Sequence, residues 1–106
     1  MDVKKLNIPP HFDAEKVDKV WKINYQQIAE DARKWANRFN ISPSSNDKTK
    51  VALVLIDLQN TFCIPEFELF VGGRSGKGAV EDNVKLCEFI STLFVEYISS
   101  TIFVLK

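Results

Sequence analysis

The chain has 106 residues, enough for about one small domain, and 45% of them are hydrophobic while 26% are charged. Its 14 basic and 14 acidic residues give a formal net charge of zero, which argues against nucleic acid or an anionic membrane as the main partner. Two cysteines and one histidine are too few to build a structural zinc site, so we expect no metal and no cofactor.

The N-terminal sequence contains no apolar core of the kind that secretory signals carry. The longest apolar stretches of the whole chain are far shorter than the roughly 20 residues that span a bilayer. We therefore expect a cytoplasmic protein with no membrane partner, in which Cys63 and Cys87 are free thiols.

Residues 1–49 predict an N-terminal arm followed by an amphipathic helical extension. Pro9 and Pro10 favour extended backbone in the arm, and Asp13 is a residue type that caps helix N-termini. Apolar residues then recur at helical spacing, which predicts one long helix or two helices with a break near Asn24. The recurring residues are Val17, Val20, Trp21, Ile28, Ala32, Trp35 and Phe39.

The aromatic members of this stripe have two interpretations. Packing against the rest of the domain is the one we favour. A non-catalytic interaction module, with Trp21, Trp35 and Phe39 as a docking face, is the alternative.

Residues 50–106 predict one β-α-β unit after a polar loop at residues 40–50. The run "VALVLI" at residues 51–56 is rich in β-branched residues and does not alternate with polar ones. Such a run predicts a strand buried on both faces of a parallel sheet. A helix from Ala79 to about Tyr97 and a second strand over "TIFVLK" at residues 101–106 complete the unit.

The glycine-rich stretch "GGRSGKG" at residues 72–78 invites comparison with a phosphate-binding loop. That motif needs a glycine at position 71, which is Val71, and a hydroxyl after Lys77, where the chain has Gly78. We therefore interpret the stretch as an exposed loop that opens the second helix. A small flavodoxin-like or nucleotide-binding unit is the other interpretation.

Asp57 is the candidate catalytic residue because it directly follows the apolar strand. In doubly wound sheets, ligands bind outside the carboxyl ends of the strands. An acid at that place, walled by apolar side chains such as Phe62, is expected to lose solvation and to suit proton transfer. The other interpretation is that Asp57 caps nearby loop amides, and the spacing alone leaves both open.

The same stretch, "VALVLIDLQNTFC", resembles the opening of the isochorismatase-like cysteine hydrolases, which include the nicotinamidases. The family signature is an apolar strand followed by D-x-Q-N-x-F, here Asp57, Leu58, Gln59, Asn60, Thr61 and Phe62. The resemblance covers residues 51–90. It implies a three-layer α/β/α, Rossmann-like parallel sheet, of which residues 50–106 would be the start of an incomplete domain.

The resemblance also implies a chemistry. In this family a cysteine thiolate attacks an amide or related carbon of a small-molecule substrate, assisted by an aspartate and a lysine. Asp57 matches the aspartate, and Phe62 matches a position that often lines the substrate pocket. Cys63 and Lys77 do not match the family's nucleophile and lysine, which come from later segments.

We therefore expect an N-terminal, truncated part of such a hydrolase, inactive alone because one triad member of three is present. Its core faces would be left exposed, so we expect marginal stability or self-association.

Overall fold

The computed structural model describes residues 6–94 and 101–105 and shows a small mixed α/β domain. Three short turns accompany the regular elements: 3-10 turns at Ala14–Lys16 and Ser44–Asn46, and a π-helical turn at Ile90–Phe94. The helices and strands are, in chain order, α1 (Tyr25–Arg38), β1 (Ala52–Ile56), α2 (Asn60–Cys63), α3 (Gly78–Phe89) and β2 (Thr101–Leu105).

The two strands form a parallel pair, with Ala52 opposite Thr101 and Ile56 opposite Leu105. Parallel strands need a crossover connection, and α2 and α3 lie within it. Both predicted strands are therefore present, at Ala52–Ile56 and Thr101–Leu105. Because the strands are parallel, their carboxyl ends lie at the same edge, and Asp57 follows β1 there.

The prediction that β1 is buried on both faces is wrong. Leu53 and Leu55 are half-buried, whereas Val54 and Ile56 on the opposite face are 49% and 63% exposed. Successive side chains of a strand point to opposite faces, so one face of β1 is partly covered and the other is left open to solvent. The run is apolar on both faces, but the described residues cover only one.

Of the two alternatives for residues 17–39, the single long helix is wrong; the chain does break near Asn24, but residues 17–23 form no second helix before the break. The Asn24 side chain accepts a hydrogen bond from the Gln27 amide at 3.1 Å, so α1 begins at Tyr25. Asp13 accepts from the Glu15 amide at 3.0 Å but caps only the short turn Ala14–Lys16. The residues between the turn and Asn24 include β-branched and aromatic types that favour helix weakly.

Helix α1 ends in a Schellman arrangement. The Ile41 amide donates to the Ala36 carbonyl at 2.8 Å, and the Asn40 amide donates to the Asn37 carbonyl at 3.4 Å. Asn40 has a φ of 55°, a left-handed conformation that asparagine tolerates better than most residues. The predicted loop at residues 40–50 therefore starts where these hydrogen bonds and the left-handed Asn40 end α1.

Few of the described residues are fully buried. Leu6 and Ile64 are 4% and 5% exposed, and Thr92 is 2% exposed. The Leu6 amide donates to the Thr92 carbonyl at 3.0 Å, and the Thr92 hydroxyl donates to the Glu88 carbonyl. The N-terminal segment is thus fastened to the turn after α3. The predicted helix end near Tyr97 lies outside the described residues.

The open face of the sheet leads to a prediction about association. Replacing both Val54 and Ile56 with threonine removes apolar surface while keeping β-branched side chains suited to a strand. We expect the double variant to self-associate less than the parent chain, as measured by sedimentation over a range of concentrations. Ile8→Thr, at an exposed isoleucine outside the sheet, is the matched control. Equal association of the parent and the double variant would show that this face takes no part.

Candidate functional site

Asp57 lies in a tight turn that redirects the chain out of β1. Its φ is 56°, a left-handed conformation that is costly for most residues and is adopted by Asp and Asn more readily. The Gln59 amide donates to the Asp57 carbonyl at 2.9 Å, and Gln59 Nε2 donates to Asp57 Oδ1 at 3.4 Å. The turn and the glutamine side chain together hold the carboxylate at the tip of the strand.

The residues after Asp57 form a wall through backbone hydrogen bonds. The amides of Phe62 and Cys63 both donate to the Gln59 carbonyl at 3.0 Å, which closes the short helix α2. The Val71 amide then donates to the Phe62 carbonyl at 2.9 Å, and the Ala79 amide donates to the Val71 carbonyl at 3.1 Å. These bonds bring the start of α3 beside α2.

A cavity of about 340 Å³, which we call the Asp57 cavity, lies between these segments. Its size falls in the range of small-molecule sites. It combines one carboxylate and one thiol with apolar surface. Its lining residues are Asp57, Phe62, Cys63, Val71 and Ala79. The structure therefore places the two residues singled out in the sequence, Asp57 and Phe62, on the wall of one cavity.

The expectation that Asp57 loses solvation is wrong, because Asp57 is exposed. Two of the apolar neighbours that were expected to enclose it, Ile56 and Leu58, are themselves 63% and 39% exposed. Among the described residues, the hydrogen bond to the Asp57 carboxylate comes from the Gln59 side chain, so the alternative role of capping loop amides has no support.

Three residues that were not predicted from the sequence also line the Asp57 cavity. They are Cys63, Val71 and Ala79. Cys63 directly follows Phe62, so its place beside the cavity could have been inferred from the motif. Val71 and Ala79 reach the cavity through hydrogen bonds between separate segments, and no signal in the sequence marks those bonds.

The glycine loop uses its own amides internally. Gly73 and Gly76 have φ values of 62° and 77°, which form the turns. The Gly78 amide donates to the Gly72 carbonyl at 2.8 Å, and the Lys77 amide donates to the Ser75 hydroxyl at 3.0 Å. A phosphate-binding loop needs such amides free to face the phosphate. The nucleotide-binding interpretation therefore has no geometric support.

Cys87 is the other free cysteine. Burial, with a smaller contribution from the Glu88 carboxylate, raises the pKa of the Cys87 thiol. The thiol therefore stays protonated at neutral pH and is a weak nucleophile.

Among residues 6–94 and 101–105, no group of three His, Cys, Asp or Glu side chains lies close enough to hold a metal ion. No helix in the same ranges is long and apolar enough to cross a membrane.

None of the protein-family models, curated proteins and solved structures compared with the chain matches it. The resemblance to the isochorismatase-like hydrolases therefore depends on residues 51–90 alone. The family assignment and its chemistry stay predictions, which the geometry of the Asp57 cavity can support.

Proposed function

We propose that this chain carries the first strand and the catalytic aspartate of an isochorismatase-like cysteine hydrolase. The observation that carries the proposal is the position of Asp57. It is the first residue after a parallel strand, held in a left-handed turn, on the wall of a cavity that Phe62 shares. This is the place where open parallel sheets bind their ligands.

The fold supports the same proposal. We infer that β1 and β2 belong to the larger parallel sheet of a three-layer α/β/α, Rossmann-like domain. The open face of β1, with Val54 and Ile56 exposed, is what a sheet shows when one covering layer is missing. The parallel pairing and the helical crossover are the basic unit of such a sheet.

In the proposed mechanism, Asp57 is the acid-base group. Its carboxylate takes the proton of the nucleophilic thiol, and the thiolate attacks the carbonyl carbon of a small amide or a related centre. The C–N bond then breaks as Asp57 returns that proton to the departing nitrogen, which leaves a thioester for water to hydrolyse. Asp57 later assists the water that releases the product. Phe62 gives the substrate an apolar surface beside the carboxylate.

The proposal predicts that the 106 residues have no hydrolase activity on their own. Neither Cys63 nor Lys77 occupies a position that matches the family's nucleophile or lysine. We expect ammonia release from small primary amides, including nicotinamide, to equal the rate in buffer. Turnover by the chain alone, especially turnover that persists in Asp57→Asn, would contradict the assignment of roles.

The alternative function, a docking module built on the N-terminal aromatic residues, has less support. Trp21 lies before α1 and therefore does not share a helix face with Trp35 and Phe39. Trp35 packs on Phe39 with ring centroids 4.5 Å apart and contacts His11 edge-on at 6.4 Å. All three aromatic residues of the stripe are half-buried, so they offer a partner little exposed surface.

A further inference from the structure

A second cavity, of about 480 Å³, lies beside the Asp57 cavity, and Cys63 of α2 lines both. We call it the lysine cavity. Three parts of the chain form it: residues 16–25 on the N-terminal side, residues 55–64 around the strand tip, and residues 83–90 of α3 and the following turn. Asp57 does not line it, so its chemistry is separate from that of the Asp57 cavity.

The charged residues that line the lysine cavity are basic. Lys16 and Lys19 line it, and none of its described lining residues is an Asp or a Glu. Lys16 Nζ lies 4.3 Å from the centroid of the Trp21 ring, and a cation–π contact of this kind holds the ammonium group in place. Two cations with no acidic residue on the same wall favour an anionic ligand.

Side-chain amides add hydrogen-bonding groups to the same cavity. Gln59, Asn60 and Asn83 all line it. Each amide has an NH₂ group with two donors, which can bind the oxygen atoms of an anion. Among the described residues, the side chains of Asn60 and Asn83 have no hydrogen-bond partner, so both are free to turn towards a ligand.

The floor of the lysine cavity is apolar. Leu55 of β1 and Leu86 of α3 are half-buried and line it together with Ile90. Trp21 adds a flat aromatic surface on the N-terminal side. Sites that take small molecules combine apolar walls with a few polar groups in this way. The combination suits a ligand with a flat apolar body and one negatively charged group.

We propose that the lysine cavity binds a small aromatic carboxylate. The carboxylate lies against Lys16, Lys19 and the side-chain amides, and the ring lies between Trp21 and the apolar floor. In this proposal, residues 16–25 form one wall of a binding site. They lie outside the stretch that resembles the hydrolase family. The proposal does not depend on hydrolysis or on Asp57.

Benzoate is the probe, and benzyl alcohol is its neutral counterpart of similar shape. The readout is the indole N–H resonance of Trp21 in the full 106-residue chain, assigned with the variant Trp21→Phe. We expect a saturable shift with benzoate and a much weaker one with benzyl alcohol. Lys16→Gln and Lys19→Gln are each expected to weaken benzoate binding by roughly two- to fivefold, because exposed ion pairs contribute modestly.

Lys22→Gln is the matched control, because it removes the same charge from the same segment at a residue that does not line the lysine cavity. It should leave benzoate binding within the error of the parent. If Lys16→Gln perturbs the fold, the exposed Lys19 still tests the charge. Equal binding of benzoate and benzyl alcohol, or equal losses in Lys19→Gln and Lys22→Gln, would overturn the proposal.

Discussion

Replacing Asp57 with asparagine is expected to lower hydrolysis of small amides by about 10²- to 10⁴-fold, the range that a general acid-base group contributes. The measurement requires a polypeptide that joins this chain to the lysine and the cysteine of the proposed triad. In it, the asparagine amide cannot take up the proton of the nucleophilic thiol, so the thiolate forms more slowly. The rate of ammonia release at saturating substrate reports this step.

Asparagine is the appropriate replacement because the backbone at position 57 has a φ of 56°. Asn tolerates this conformation nearly as well as Asp, so the turn after β1 should be preserved. Glu66→Gln, which removes an exposed carboxylate that does not line the Asp57 cavity, is the control for the loss of one charge. A loss in Asp57→Asn no larger than that in Glu66→Gln would exclude the proposed role of Asp57.

Ile64→Ala is expected to lower the free energy of unfolding by about 2–5 kcal/mol, the range for removing a buried isoleucine side chain. Ile64 is 5% exposed and directly follows α2. Its amide donates to the Asn60 carbonyl at 3.0 Å, and its carbonyl accepts from the Phe67 amide at 3.1 Å. Small domains are stable by only about 5–15 kcal/mol, so this variant should lose a large part of its stability.

Ile8→Ala removes the same atoms at a position that is 49% exposed, and it is the matched control. Urea denaturation followed by circular dichroism should show a much smaller loss for Ile8→Ala than for Ile64→Ala. Equal losses would mean that burial of the Ile64 side chain does not stabilise the segment that positions Phe62.

The strands were predictable because their residues leave few alternatives. "VALVLI" and "TIFVLK" are short, apolar and β-branched, and one helical segment separates them, so a parallel pair follows. The coverage of β1 was not predictable in the same way. The residues of a strand show which side chains are apolar, but the layers packed against the strand decide which of them are buried. Val54 and Ile56 are apolar and exposed for that reason.

The N-terminal helix shows the limit of periodicity. Apolar spacing left open one long helix from Val17 to Phe39 or two helices with a break near Asn24, whereas α1 begins only at Tyr25, where the Asn24 side chain caps the amide of Gln27. A single capping residue decided the boundary, because weak helix formers precede it.

The candidate site was partly predictable for a related reason. Asp57 and Phe62 lie within one contiguous motif, so the turn that places them is local. Val71 comes from the long irregular connection before α3, and Ala79 from the start of α3; hydrogen bonds between distant residues determine the path of the chain between them. The exposure of Asp57 depends on what covers the strand tip, which the motif does not encode.

The sequence of the messenger RNA downstream of the codon for Lys106 is the most direct test of the catalytic role of Asp57. We predict an open reading frame that encodes a lysine at a later strand end and a cysteine that opens a later helix. Asp57 would then be one member of a complete catalytic triad. A stop codon directly after Lys106, with neither residue encoded in frame, would contradict the catalytic role of Asp57 in this product.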